Sequence, residues 1–163
     1  PDPVVFLEHK FLYRWLKADS WVDPDPLPIG QARIARPGQH ATVVAFSAMV
    51  PEALRAAEEL SATSGYELEV VDLRSVKPLD TETILDSVAR TARLLVVSED
   101  FPWGGVAAEV VSQVTARGFH LLDDPPLRLS SQDTPIPAHP DLWKAHRPSA
   151  ATIADAARYL ISL

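Results

Sequence analysis

Four short apolar runs, Thr42 to Phe46, Leu68 to Leu73, Leu94 to Val97 and Leu127 to Leu129, recur along the chain with stretches of helical periodicity between them. A strand with no polar face must be covered on both sides, and strands that alternate with helices pair in parallel through crossovers. Val50 to Ala62 carries Leu54, Ala57 and Leu60 at helical spacing. Pro51 stands in its first turn, where the missing N–H has no partner to lose, and Gly65 lies just past its end. Asp80 is placed to cap a second helix whose apolar face is Ile84, Leu85, Val88 and Ala89. A third opens at Gly104-Gly105, carries Val106, Val110, Val111 and Val114, and stops at Gly118. A proline-rich stretch after Leu129 leads to a terminal helix near Ala150 to Ile161. Gln31 to Arg36, followed by the turn pair Pro37-Gly38, reads as a hairpin closing on the Thr42 run and adds an antiparallel edge strand. The expected fold is a three-layer α/β/α sandwich, with a mostly parallel five-stranded sheet and one antiparallel edge strand.

The start of the chain does not belong to that pattern. Val4 to Leu7 has the composition of a strand, yet no helix precedes it to cover a face. Asp23-Pro24-Asp25-Pro26-Leu27-Pro28 cannot be regular structure, because each proline lacks a donor and restricts the residue before it. Residues 1–27 therefore read as the end of a preceding domain and a linker, and residues 28–163 as the main domain. The first piece is expected to be weakly anchored or to pack on a neighbouring chain.

Composition excludes several classes of function. The 15 Lys and Arg residues are scattered and the formal charge is −7, so no basic stripe is available for nucleic acid. The apolar runs are far shorter than the roughly 20 residues that span a bilayer, and Pro1 to Lys10 has no signal-peptide pattern. Without cysteine there is no disulfide framework, thiolate metal site or thiol nucleophile, and a reducing cytoplasm fits.

The loops at the carboxyl ends of the strands are where an open parallel sheet binds ligands. Ser47-Ala48-Met49-Val50 has no glycine, so it offers no close backbone approach to a pyrophosphate, and no Gly-Lys-Ser/Thr motif is present. The five histidines show no i, i+4 pair with metal-ligand spacing and read as surface or interface residues. Ser47, Ser98 and Ser130 lie near strand ends outside any Gly-x-Ser-x-Gly context. The most unusual loop is Glu99-Asp100-Phe101-Pro102-Trp103-Gly104-Gly105. Its two glycines open a helix that could take an anion, but Glu99 and Asp100 would repel one. Phe101, Trp103, Gly104 and Gly105 are the expected contact with another domain or subunit, since aromatic anchors are favoured at interfaces. These residues offer no catalytic, cofactor or metal site.

Phe6-Leu7-Glu8-His9-Lys10-Phe11-Leu12-Tyr13-Arg14, Pro28-Ile29-Gly30-Gln31-Ala32, Val71-Asp72-Leu73-Arg74, Pro78-Leu79-Asp80-Thr81-Glu82-Thr83-Ile84, Gly104-Gly105 with Glu109, and Asp133-Thr134-Pro135-Ile136-Pro137 follow one another in this order. The series resembles the end of the pyrimidine-binding domain and the whole C-terminal, transketolase-like domain of beta subunits of thiamine-diphosphate-dependent 2-oxo acid dehydrogenases of the pyruvate and branched-chain type. Asp100-Phe101-Pro102-Trp103 and Asp141-Leu142-Trp143 depart from the family's usual residues and leave the subtype open. The resemblance implies a complete enzyme that uses thiamine diphosphate and magnesium. It also implies an alpha subunit, a second beta subunit and the subunit-binding domain of the E2 acyltransferase as partners, in the bacterial cytoplasm or the mitochondrial matrix. On the same basis this portion serves assembly and docking, binds no cofactor alone and is inactive alone. A beta subunit of an acetoin dehydrogenase, a transketolase-like enzyme and a free-standing α/β binding module are the alternatives.

Overall fold

The computed structural model describes residues 3–17 and 28–163. Five strands, β1 (Arg33–Arg36), β2 (Ala41–Ala45), β3 (Leu68–Asp72), β4 (Leu94–Val97) and β5 (Leu127–Leu129), form one sheet in the order β1-β3-β2-β4-β5. The β1/β3 pair is antiparallel, and the other three pairs are parallel. Helices α2 (Met49–Ser64) and α6 (Ala150–Ser162) pack on one face; α3 (Thr81–Thr91) and α4 (Val106–Gly118) cover the other. The short helices α1 (Leu12–Trp15) and α5 (Pro140–His146) lie outside these layers.

Strand periodicity sorts the core into its two halves. Val43, Ala45, Val70, Leu95 and Val97 join Ala53, Ala57, Leu60, Ile153 and Ala157 on the α2/α6 side. Val44, Val71, Leu94 and Val96 join Ile84, Val88, Val110 and Val114 on the other. The α3 face differs from the expected one: Ala89 is exposed, and Ser87 and Thr91 are buried instead. Both hydroxyls reach Thr42 of β2, with Thr42 Oγ1 2.7 Å from Ser87 Oγ and 2.7 Å from Thr91 Oγ1. A buried polar group is tolerated when its hydrogen bonds are met, and this triad meets them between a strand and its covering helix.

The expected hairpin is absent. β1 pairs with β3, so residues 37–40 cross the start of β3 before the chain enters β2. The amides of Gln39 and His40 both donate to the Glu67 carbonyl, at 2.9 and 3.0 Å. A Cβ on Gly38 would overlap the Leu68 and Glu69 backbone. Gly38 is thus a close-approach glycine rather than the second half of a hairpin turn. At its other end β1 is held by Asp80, which accepts from Ala32 N–H (2.8 Å) while capping α3 through Thr83 N–H (3.1 Å).

Val4 to Leu7 forms no strand; its side chains are exposed and its backbone pairs with no strand among the described residues. With no neighbouring edge to complete a ladder, strand composition alone does not make a strand. Asp23 to Leu27, where the linker is expected, lie outside the described residues. The stretch after β5 contains α5, opened by Pro140 in its first turn and capped by His139. No helix among the described residues is long and apolar enough to cross a membrane.

Candidate interface site

Beyond β4 the chain runs Ser98 to Gly105 before α4 begins, and its own side chains fix this loop. Ser131 donates from its amide to the Asp100 carbonyl (3.1 Å) and from its hydroxyl to the Glu99 carbonyl (2.8 Å). Arg128 of β5 donates to the Pro102 carbonyl at 2.9 Å. Asp100 folds back so that its carboxylate accepts from Val106 N–H at 2.9 Å and from the Ser98 hydroxyl. The N-terminus of α4, where helix dipole and free amides favour an anion, therefore already has one. Gly105 makes this possible, because a Cβ there would overlap the Asp100 carboxylate. Gly104 adopts φ +66°, a conformation that L side chains rarely take.

The four residues expected at an interface divide into two pairs. Gly104 and Gly105 shape the turn. Trp103 projects from it with 83% of its surface exposed, whereas Phe101, 39% exposed, turns back onto the His146 ring at a centroid distance of 6.2 Å. His146 is itself buried, whereas the histidines are expected at the surface or an interface, and its Nδ1 lies 3.3 Å from Thr134 Oγ1.

A second cluster fills the crevice between the carboxyl ends of β2 and β4. The connections from these two strands leave on opposite faces of the sheet, which makes this its topological switch point. Arg147, just past α5, lies between two carboxylates: Nη1 is 2.7 Å from Glu99 and Nη2 is 3.3 Å from Glu52 in the first turn of α2. Glu52 also pairs with Arg55 and accepts from the Ala150 amide at 2.9 Å, so it ties the starts of α2 and α6 together. The other Glu99 oxygen is 3.0 Å from His9 Nε2. The Arg147 guanidinium lies over Trp143 at 4.3 Å and over Phe11 at 5.4 Å. Only 9% of the Arg147 side chain is exposed, and a buried cation is tolerable here because two carboxylates meet it.

Nothing in the sequence marks Arg147, Glu52, His9 and Trp143 as a group. Trp143 and Arg147 are four residues apart, the one usable local signal; their partners come from positions 9, 11, 52 and 99. The cluster does not fit a magnesium diphosphate. The two carboxylates that could ligate a metal are occupied by a guanidinium, and the helix terminus that could take a phosphate is occupied by Asp100. Among the described residues no group of three or more His, Cys, Asp or Glu is arranged to hold a metal ion.

Comparison with known proteins places the fold. The family described as transketolase, C-terminal domain, matches residues 30–153. A pyruvate dehydrogenase E1 component subunit beta of Rhizobium meliloti is 39% identical over 158 residues, covering 97% of this chain and 34% of the relative. A mitochondrial subunit beta-1 from Arabidopsis thaliana is 42% identical over 97% of this chain and 44% of its own length. An acetoin:2,6-dichlorophenolindophenol oxidoreductase subunit beta of Cupriavidus necator is 41% identical over 96% of this chain and 46% of its own. The chain thus spans less than half the length of these relatives. Among solved structures, a split-gene transketolase, described as an inactive beta4 tetramer, superposes with a TM-score of 0.77 at 23% identity, over 90% of this chain and 47% of that one. The mixed five-stranded sheet covered by helices on both faces is that three-layer fold, and the chain belongs to the transketolase C-terminal domain family.

Proposed function

We propose that this chain is the C-terminal portion of the beta subunit of a thiamine-diphosphate-dependent 2-oxo acid dehydrogenase of the pyruvate type. In this reading it serves subunit assembly and docking of the E2 acyltransferase, and its partners are an alpha subunit and a second beta subunit. Residues 1–27 are the end of the pyrimidine-binding domain and a linker, and the enzyme works in the bacterial cytoplasm or the mitochondrial matrix. The observation that carries the reading is 39–42% identity to pyruvate dehydrogenase beta subunits over nearly the whole chain. It is supported by a crevice and a helix terminus filled by the chain's own charges, which leave the residues no fit for the cofactor. Bound elsewhere, thiamine diphosphate would supply the carbanion that attacks the keto carbon, and no step of that chemistry is assigned to residues of this chain.

The relative named as an acetoin oxidoreductase subunit, at 41% identity, supports a second reading in which the complete enzyme takes acetoin. One experiment addresses both. This chain replaces the matching part of the Rhizobium meliloti or the Cupriavidus necator beta subunit, each chimera is combined with its alpha subunit, and assembly and substrate turnover are measured. Assembly of the first chimera with its activity retained is the expected result, and assembly of the second chimera alone would favour the acetoin reading. Failure of both chimeras to assemble, under conditions where the parent subunits do, contradicts the reading.

A further inference from the structure

We propose that residues 8–15 are a strap that closes the crevice between the carboxyl ends of β2 and β4, with Arg147 as the pin shared by strap and domain. The proposal goes beyond the functional reading above and does not depend on it. The strap meets the domain at three polar or aromatic points. His9 Nε2 lies 3.0 Å from Glu99, Phe11 covers the Arg147 guanidinium at 5.4 Å, and Trp15 lies against the Arg55 guanidinium at 4.7 Å. Phe11 also stacks with Trp143 and Trp15, at 5.5 and 5.4 Å between ring centroids. Leu12 adds an apolar contact to the α2/α6 side of the core. Within the strap, Tyr13 bonds to Glu8, and the amides of Leu12, Arg14 and Leu16 bond to His9, Phe11 and Leu12 carbonyls.

This division of contacts makes the strap separable from the domain. No residue of α1 is buried, so little apolar area is lost when it lifts. Arg147 would keep Glu52, Glu99 and Trp143 when Phe11 and His9 leave, and the domain beneath would remain intact. In an open parallel sheet this crevice is the place for ligands; here residues 8–15 lie across it. The segment's position is thereby coupled, through one guanidinium, to the junction of α5 and α6. Any ligand seeking the switch point must first displace the strap.

Hydrogen exchange of the full 163-residue chain reads this directly. Peptides spanning residues 8–16 should show protection in the wild type. Phe11→Ala should raise their exchange about fivefold, the scale of a partly exposed cation–π contact, while peptides from β2 and β4 stay unchanged. Arg147→Met should have the same effect from the domain's side. If that variant perturbs the whole domain because Glu52 and Glu99 lose their cation, Phe11→Ala decides alone, since Phe11 lies outside both hydrophobic clusters. Exchange at the unstructured rate in the wild-type strap, or a strap indifferent to Phe11→Ala, overturns the proposal.

Discussion

The Asp100 carboxylate occupies the space that a Cβ of Gly105 would need, and it bonds the first amide of α4 from there. Each residue therefore sets the identity of the other. Gly105→Ala should cost about 1–3 kcal/mol in urea denaturation, the usual range for overpacking. Asp100→Ala should cost about 1 kcal/mol, as for other lost helix caps. In the double variant the alanine at 105 no longer meets a carboxylate, so the two losses should sum to less than the single values predict. Strict additivity would show that they do not share one space.

Asp80 gives the fold a pH dependence. Burial pushes its carboxyl upward, but bonds from the Thr83 hydroxyl and from the Ala32 and Thr83 amides outweigh burial, so its pKa sits below the ordinary aspartate value. A carboxyl lowered in the folded state contributes stability above its unfolded pKa of about 3.9 and loses it as pH falls through the folded value. Asp80→Ala should cost about 1 kcal/mol at pH 7, with the gap to wild type closing in acid. A gap that widens below pH 4 would contradict this.

Ala92 ends α3 with φ +56°, in the left-handed region, while its amide donates to the Val88 carbonyl at 2.7 Å. Glycine takes this position without strain. Ala92→Gly should stabilise the chain by about 0.5–1 kcal/mol in thermal or urea unfolding, the relief of left-handed strain less the added entropy of the unfolded chain. A loss of stability would mean that the Ala92 methyl makes a contact worth more than the strain.

Trp103 should matter to assembly and not to folding. With most of its surface exposed, Trp103→Ala should leave the stability of the chain within about 0.5 kcal/mol. In the chimeric pyruvate dehydrogenase, sedimentation equilibrium should find subunit association weakened roughly thirtyfold, as for an aromatic hot spot. An assembly unchanged by the substitution would remove Trp103 from the interface.

Calorimetric titration of the chain with thiamine diphosphate and magnesium should give no saturable heat at micromolar concentrations. The carboxylates of Glu52 and Glu99 are already met by Arg147, and the first amide of α4 is already met by Asp100, so neither is free for magnesium or a diphosphate. Saturable binding would require another site.

The repeating units were legible because each carries its own signal. Asp80 announces α3, and Leu94 to Val97 is too short and too uniformly apolar for a surface element. One misreading has a clear physical cause. Pro37-Gly38 has turn composition, yet pairing is decided by which edge lies alongside, and local composition carries no record of that. The Arg147 cluster was illegible for the same reason, since its members come from four separated stretches of chain. Phe101 and Trp103 could be picked as a pair from the sequence. Their opposite orientations depend on Arg128 and His146, which lie 25 or more positions away.

The crossing of residues 37–40 over the start of β3 imposes an order on folding. The ladder from β2 to β3 needs the intervening helix to fold back, and it can form without β1. β1 has no edge to join until β3 is seated, and its partners lie some 35 positions downstream, a long loop to close. Its other tether, Asp80, becomes available only once α3 has begun. On this geometry β1 docks after β3 and α3, although it precedes both in sequence.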